Sequence, residues 1–471
     1  MKRTFFAISS LLAAALFVVA AQSPSVPESK VDEIFSRWTS DSPGCAVGVS
    51  RAGQPVVQKA YGMADLEHDV PNKADTIFEA GSVSKQFTAA AVLLLAAEGK
   101  LSLDDPARKY IPELPDYGAP LTIRHMLQHT SGLRDWGEVA SIAGWPRTSR
   151  VHTHAHVLDI VSRQKALNFP SGTQYSYSNT GYNLAAVLVS RVSGKSFAEF
   201  SKERVFGPAG MTHTSWRDDY TRIVKGRAIA YSQAQGGWRQ NMPFENVHGN
   251  GGLLTTVADL LKWNENFTSP KVGDAAFVKL QQEPGKFNDG KPHSYAMGLM
   301  VGTYKGVPEV AHSGSTAGYR AHLTWYPQQQ VSVAVLCNAA SANATQFAER
   351  VADLYLAGSI KDEPPPQPRP RPESKPFTPD RKDLESYAGR YHSDEAEVTY
   401  EVALDGDTLV VKRRPDTVVR LRATEKDHFD GGVGRFVFIR NSSGAVHELS
   451  FRGSRVFDLR FARQTPTSGS R

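Results

Sequence analysis

The chain has 471 residues, of which 40% are hydrophobic and 22% charged, a composition typical of a folded protein with two or three domains. The formal net charge of +6 comes from lysines and arginines that are interspersed among acidic residues, without a basic block or stripe. Nucleic-acid binding normally requires such a basic patch, so the charge pattern argues against it. A mild attraction to acidic envelope polymers is equally compatible with the charge.

The first 21 residues have the pattern of a secretory signal peptide. A basic start at residues 1–3 leads into an uncharged run from Phe5 to Ala21, which ends in small residues before Gln22. We therefore expect a secreted or periplasmic protein with no stable membrane span after cleavage. The alternative is an uncleaved membrane anchor, for which the apolar run is a little short.

Residues 22–360 predict an α+β domain. Alternating apolar runs predict a hairpin of strands at Cys45–Ser50 and Val56–Gly62, followed by a nearly apolar, buried helix over Ser84–Glu98. The middle of the segment is mostly helical, and strands return from Glu309 to Asn338 before a final helix. Strands at both ends with helices between them favour an antiparallel sheet.

The only cysteines are Cys45 and Cys337, and each lies in an apolar, strand-like run. Two buried thiols are the simplest interpretation, because a free cysteine packs like a small hydrophobic residue. If the two strands are neighbours, an oxidising compartment would allow one bridge.

A proline-dense stretch at residues 361–380 predicts an extended linker. Beyond it, residues 381–465 form short alternating segments separated by turns, which indicate a small antiparallel sheet or barrel. Residues 466–471 are predicted to be a disordered tail.

Three short motifs suggest a catalytic site. Ser82 and Lys85 lie three apart at the start of the apolar helix, so the lysine amine is expected over the serine hydroxyl and inside the core. Tyr177 and Asn179 lie two apart in an extended segment and should point the same way. Each motif alone is also compatible with a purely structural role, such as a capped helix or a turn.

The third motif is His312-Ser313-Gly314-Ser315 at the end of a predicted strand. Gly314 would let a substrate approach the backbone, and the Ser315 N–H is suited to donate to an oxyanion beside that of Ser82. His312 would face the same cleft.

Together these motifs resemble the penicillin-recognising serine hydrolases, namely class C β-lactamases, D-Ala-D-Ala carboxypeptidases, D-aminopeptidases and related esterases. The likeness covers about residues 31–357 and includes the runs 99–106, 121–133 and 251–256. It implies a β-lactamase-like domain followed by a small all-β domain.

The resemblance implies a role for each motif residue. Ser82 would be acylated, Lys85 and Tyr177 would share the proton transfers, and Asn179 would orient the substrate carbonyl and the lysine. His312 stands where relatives carry a lysine, which exchanges a permanent cation for a mostly neutral group and weakens recognition of a substrate carboxylate. No cofactor is implied.

A metal is also not expected, because the alternating His152, His154 and His156 lack a cysteine or carboxylate cluster to complete a coordination shell.

These features favour an enzyme that hydrolyses esters, peptides or amides of small molecules, with D-amino acid or peptidoglycan-like substrates included. β-Lactamase activity ranks below this. Two further alternatives are a non-catalytic member that binds peptidoglycan or a protein partner in the same cleft, and a structural protein that assembles through sheet edges. The oligomeric state is left open.

Overall fold

The computed structural model describes residues 26–361, 377–414 and 416–465. The predicted signal peptide, the tail at 466–471 and most of the linker lie outside the described residues. No helix within the described ranges is both long enough and apolar enough to cross a membrane.

Most of the α-helices lie between the first and last strands of the main sheet in chain order. The α-helices span Glu28–Phe35, Lys85–Ala97, Ile123–Leu127, Trp136–Ile142, His154–Ser162, Asn179–Ser193, Phe197–Ser201, Val257–Glu265, Ala275–Gln282, Ala344–Tyr355 and Arg381–Tyr387. Short 3₁₀-helices lie at Gly81–Ser84 and Ala107–Lys109, and a π-helical turn lies at Lys202–Phe206.

The main sheet has six antiparallel strands and joins the two ends of the first domain. In spatial order its strands are Met300–Tyr304, Val307–Thr316, Tyr319–Tyr326, Val331–Cys337, Cys45–Arg51 and Gln54–Tyr61. The last strand of the domain therefore pairs with its first, which confirms the expected α+β class with an antiparallel sheet. Small sheets pair Phe78–Glu79 and Ser215–Trp216 with Leu253–Thr255, Met63–Asp65 with Val70–Pro71, and Tyr231–Ala234 with Gly237–Gln240.

Both faces of the central strands are covered. The helix Lys85–Ala97 belongs to the large apolar cluster on one face, while Glu28–Phe35 and Ala344–Tyr355 pack in a second cluster on the other. The central strands Cys45–Arg51 and Val331–Cys337 are buried almost throughout, as their continuous apolar sequences require.

Cys45 and Cys337 form a disulfide bridge, so the interpretation as two free thiols is wrong. The two residues lie directly opposite each other on neighbouring strands of the main sheet. The pairing register brings them together across 292 positions of sequence, a distance over which local patterns carry no information. The bridge is fully buried in the second apolar cluster.

The C-terminal unit is a closed barrel of eight antiparallel strands. Its strands are Gly389–Ser393, Val398–Asp405, Thr408–Arg413, Thr417–Glu425, His428–Asp430, Arg435–Arg440, Val446–Arg452 and Leu459–Arg463. Pairing of the first strand with the last closes it, and closure removes the free edges of an open sheet. Inward residues form an aromatic core in which Tyr400 and Phe461 stack with centroids 4.5 Å apart.

The barrel packs against the helix Trp136–Ile142 of the first domain. Val139 and Ile142 belong to the apolar core of the barrel, and the Tyr400 hydroxyl donates to the Ile142 carbonyl at 2.9 Å. The Arg414 guanidinium donates to the Ala143 carbonyl at 2.8 Å. The contact is therefore both apolar and hydrogen-bonded.

Candidate active site

A cavity of about 840 Å³ opens where the turn Gly81–Ser84 meets the strand Val307–Thr316. The structure brings the residues singled out in the sequence to this one place. Lining the cavity are Ser82, Tyr177, Asn179, His312, Gly314 and Ser315, while Lys85 lies fully buried beneath it.

Ser82 and Lys85 are placed by the junction of two helices. Ser82 lies in the 3₁₀ turn, and Lys85 is the first residue of the buried helix Lys85–Ala97, one residue later than the sequence predicts. The Lys85 Nζ lies 3.1 Å from Ser82 Oγ, as expected for residues three apart on one helical face. The turn thus presents the hydroxyl to the cavity and the amine to its underside.

The Lys85 amine makes two further polar contacts. It lies 2.9 Å from Asn179 Oδ1 and donates to the Asn250 carbonyl at 2.7 Å. Burial lowers the pKa of Lys85 well below its usual value, and the charges of Arg455 and Arg147 lower it further. The neutral form of the amine is therefore favoured, and a neutral amine can accept the proton of Ser82.

Tyr177 is held by neighbouring rings beside Ser82. Its centroid lies 4.2 Å from that of His129, and the Lys85 amine lies 4.8 Å from the ring centre. His129 has a φ of 58° and accepts from the Ser178 N–H through Nδ1 at 3.2 Å, which fixes the segment carrying the tyrosine. Burial raises the pKa of Tyr177, and its hydrogen bond with Ser82 opposes that shift.

Two glycines allow the serine turn and the strand end to touch. A Cβ on Gly314 would overlap the Ala80 carbonyl oxygen and lie 3.1 Å from the Ser82 nitrogen. Gly81 has a φ of 51°, and a Cβ there would lie 2.6 Å from the Ser315 nitrogen. The backbone amides of Ser82 and Ser315 therefore lie close together at the cavity wall, the arrangement required of two oxyanion donors.

His312 is a neutral, hydrogen-bonded ring. Its Nδ1 lies 2.6 Å from the Ser313 carbonyl and its Nε2 lies 2.9 Å from the Tyr295 hydroxyl. A carbonyl only accepts, so Nδ1 carries the hydrogen and Nε2 accepts from the tyrosine. Burial lowers the pKa of His312 to about 3, with the charge of Lys85 acting in the same direction.

Sequence reasoning missed several residues at the site. Asn250 supplies the carbonyl for Lys85, and its position just before the run 251–256 was the only local signal. Asp135 accepts from the Asn179 backbone N–H at 2.8 Å and from its side-chain Nδ2 at 2.9 Å. Arg455 reaches the cavity from the turn between the last two barrel strands, and no local sequence pattern predicts this position.

The cavity lining is cationic. It includes Arg147, Arg320 and Arg455, and none of the residues that line it is an aspartate or glutamate. Arg147 is held in place by a bidentate ion pair with the buried Glu245. The site therefore favours a negatively charged substrate group over a positively charged one.

The three alternating histidines are directed to separate partners. His152 bonds the Trp145 carbonyl at 3.2 Å, His154 bonds the His248 carbonyl at 3.0 Å, and His156 pairs with Thr153 at the start of a helix. Each of the three histidines thus has a separate hydrogen-bonding partner in the fold.

Comparisons with known proteins agree with this arrangement. The chain is 29% identical over 327 residues to a D-aminopeptidase of Cereibacter sphaeroides, covering 69% of this chain and 61% of that protein. It is 27% identical over 312 residues to penicillin-binding protein 4* of Bacillus subtilis, covering 61% and 66%. The chain thus spans about three fifths of the length of the D-aminopeptidase relatives it matches.

Solved structures show the same fold. The octameric penicillin-binding protein homologue from Pyrococcus abyssi superposes with a TM-score of 0.62 at 24% identity, covering 93% of this chain and 99% of that one. The D-amino acid amidase from Ochrobactrum anthropi SV3, complexed with L-phenylalanine amide, gives 0.60 at 21% identity, covering 69% and 97%.

The family model described as Beta-lactamase matches residues 31–357, which include all three motifs and the whole main sheet. This match confirms the family expected from the motifs and the fold expected from the strand pattern. The chain belongs to the Beta-lactamase family.

Proposed function

We propose that this protein is an exported serine hydrolase that cleaves amides, peptides or esters through an acyl-enzyme on Ser82. The observation that carries the proposal is the Lys85 amine 3.1 Å from the Ser82 hydroxyl in a fully buried position. Burying a charged amine away from water costs free energy, so a fully buried lysine beside a serine hydroxyl points to a catalytic role. Export rests on the signal-peptide pattern of the first 21 residues.

The reaction follows from the geometry in two steps. Ser82 Oγ attacks the substrate carbonyl while its proton passes to Lys85, with Tyr177 placed to relay it. The oxyanion is stabilised by the Ser82 and Ser315 amides, and the leaving amine or alcohol takes up the proton as the carbon–nitrogen or carbon–oxygen bond breaks. Water then attacks the ester, releases the acid and restores the serine hydroxyl.

The relatives favour amide and peptide substrates that contain D-amino acids. The names of those relatives include D-aminopeptidase and D-amino acid amidase. The arginine-lined cavity adds a preference for substrates that carry a carboxylate. We accordingly expect peptidoglycan-like D-peptides with a free carboxylate to be cleaved faster than amides whose only charge is a free amine.

The central test is covalent labelling of the nucleophile. Purified protein is treated with a serine-reactive phosphonate and its intact mass is measured. Ser82→Ala and the matched variant Ser193→Ala, at the half-buried C-terminal end of the helix Asn179–Ser193, serve as comparisons. We expect one adduct on the wild type and on Ser193→Ala, and none on Ser82→Ala. An adduct that survives in Ser82→Ala would identify a different nucleophile, and an unlabelled wild type would favour the binding-protein alternative.

β-Lactam hydrolysis is the second candidate, supported by the family but disfavoured by the neutral His312. The test compares hydrolysis of a chromogenic cephalosporin with that of simple esters and D-amino acid amides. We expect the cephalosporin to be the slower substrate. A cephalosporin rate far above the other two would reverse this ranking.

A further inference from the structure

Asp135 makes contacts that a simple helix cap does not need. Its Oδ1 accepts from the Gly137 and Glu138 backbone N–H groups at 3.1 and 3.2 Å, which caps the helix Trp136–Ile142. Its Oδ2 accepts from both the backbone N–H and the side-chain Nδ2 of Asn179. One oxygen thus serves the helix and the other serves a cavity residue.

We propose that Asp135 is a positioning residue that fixes the orientation of the Asn179 amide, and that the barrel residue Arg455 anchors Asp135. The proposal rests on the proposed function, because Asn179 in turn contacts Lys85. The barrel would then be part of the active-site architecture and not merely attached to the hydrolase domain.

The orientation argument follows from hydrogen-bond chemistry. The two ends of an asparagine amide have the same shape, but one only donates and the other only accepts. A carboxylate only accepts, so Asp135 holds the Nδ2 end of Asn179 and leaves Oδ1 directed at Lys85, 2.9 Å away. Without the carboxylate, the amide is free to turn and present a donor to the lysine.

Electrostatics alone does not explain Asp135. Burial is the main cause that lowers the pKa of Lys85, and the negative charge of Asp135 opposes it. An acid at this place therefore works against a neutral lysine. Its benefit must be geometric, and the positive charges of Arg455 and Arg147 offset its electrostatic cost.

The barrel turn that carries Arg455 is tied to the same helix. The Arg455 Nη1 lies 3.5 Å from Asp135 Oδ2, and its guanidinium lies 4.9 Å from the centre of the Tyr177 ring. Its backbone N–H donates to Glu138 at 3.0 Å, and its carbonyl accepts from the Asn168 side chain at 2.9 Å. Hydrogen bonds of both its N–H and its carbonyl thus hold Arg455 in place, with its side chain beside Tyr177 and Asp135.

The deciding experiment is a double-mutant cycle read by the rate of Ser82 phosphonylation. Asp135→Ser keeps a helix-capping side chain but removes the acceptor for Asn179. If Asp135 acts through Asn179, Asp135→Ser lowers the rate about 10- to 100-fold in the wild type and less than about twofold in an Asn179→Ala background. An equal loss in both backgrounds, or no loss in the wild type, overturns the proposal.

A matched control separates positioning from folding. Asp274 caps the helix Ala275–Gln282 by accepting from the Phe277 N–H, so Asp274→Ser removes a comparable carboxylate cap away from Asn179. We expect it to leave the phosphonylation rate unchanged. A loss equal to that of Asp135→Ser would mean that cap removal, and not amide orientation, lowers the rate.

A further pair of variants tests whether Arg455 of the barrel acts through Asp135. Arg455→Ala is compared with Arg452→Ala, an exposed arginine on the preceding strand. The rates are compared on the pH plateau, where Lys85 is already neutral, because the charge of Arg455 also lowers the pKa of Lys85 directly. There we expect a severalfold loss of rate for Arg455→Ala only, and no further loss when Asp135→Ser is already present. A loss that persists in the Asp135→Ser background contradicts the anchoring role.

A direct structural readout keeps this inference separate from the proposed function. Neutron crystal structures of the wild type and Asp135→Ser locate the amide hydrogens and so show which end of the Asn179 amide faces Lys85. A wild type that takes no phosphonate refutes the proposed function, yet the two structures still decide the orientation. An unchanged Asn179 amide in Asp135→Ser would refute the positioning role.

Discussion

The ion pairs next to the serine turn and those on the outer surface of the barrel differ in their exposure to solvent. Beneath the serine turn, Arg217 and Glu79 form a bidentate pair whose side chains are 1% and 0% exposed. On the barrel, the pair of Arg420 with Asp405 has side chains that are 65% and 57% exposed. The first pair is removed from water and the second is solvated.

This difference indicates where the fold depends on fixed charge. A buried pair is costly to form and strongly destabilising to break, whereas an exposed pair contributes little. Glu79 lies three residues before Ser82, and Arg217 lies 3.7 Å from Glu245, which holds Arg147 at the cavity. The buried charges therefore connect the nucleophile turn to the cavity wall, while the pair of Arg420 with Asp405 lies on the solvated surface of the barrel.

The largest expected effect concerns the buried cation at the nucleophile. Lys85→Met should lower the rate of Ser82 phosphonylation roughly 10²- to 10⁴-fold, because the group that accepts the serine proton is lost. Lys100→Met, just beyond the same helix and half-exposed, should leave the rate unchanged. A Lys85→Met protein that reacts at the wild-type rate would remove the lysine from the mechanism.

The same lysine predicts the sign of the pH dependence. The base must be unprotonated, so the rate of phosphonylation should rise with pH as Lys85 loses its proton. Because burial lowers the pKa of Lys85, the plateau should be reached well below pH 10.5, the ordinary lysine value. A rate that is still rising at that pH would show that the lysine titrates as an exposed one.

The two classes of ion pair can be compared directly by stability. Arg217→Met removes the bidentate partner of the buried Glu79 and leaves it only the more distant Arg227, 3.6 Å away. The variant should reduce the free energy of unfolding by about 3 kcal/mol, the lower end of the range for breaking a buried pair. Arg420→Met on the barrel should change it by less than about 1 kcal/mol. Urea unfolding of both variants measures the difference, and equal losses would contradict the distinction between buried and exposed ion pairs.

The sequence predicts those parts of the molecule that depend on short-range spacing. The contact between Ser82 and Lys85 follows from one helical turn, and the strands of the main sheet follow from alternating or continuous apolar runs. The helix predicted over Ser84–Glu98 is one residue shorter at each end, and it begins at Lys85 because the preceding turn is 3₁₀ and not α.

The features that the sequence does not predict depend on long-range pairing. An open sheet and a closed barrel have the same alternation, and closure depends on the pairing of Tyr391 with Arg463. The disulfide depends on the register between two strands at opposite ends of the domain. Arg455 reaches the cavity because the barrel packs against the helix Trp136–Ile142 and against Asn168, contacts that no local pattern encodes.

The disulfide is a stabilising feature of the hydrolase domain alone. Replacing Cys45 and Cys337 with alanine should lower the free energy of unfolding by about 2–5 kcal/mol. All seven tryptophans precede the linker, so tryptophan fluorescence during urea unfolding reports this domain and not the barrel. Added reductant should destabilise the wild type but not the double variant, and a wild type indifferent to reductant would contradict a structural role for the bridge.

The smallest expected effect concerns His312, which lines the cavity but carries no charge in the physiological range. Burial lowers its pKa to about 3, so it stays neutral from pH 5 to 8 and contributes no step to the rate profile there. Its Nε2 accepts from the Tyr295 hydroxyl, and protonation would exchange that acceptor for a donor.

His312→Gln keeps a polar side chain, so the phosphonylation rate of this variant and that of the wild type should follow parallel pH profiles from pH 5 to 8. An inflection near pH 6.5 that disappears in His312→Gln would show that the ring titrates as an exposed histidine. The cation of the third motif would then be present in mildly acidic conditions, and recognition of a substrate carboxylate by His312 would have to be added to that of the arginines.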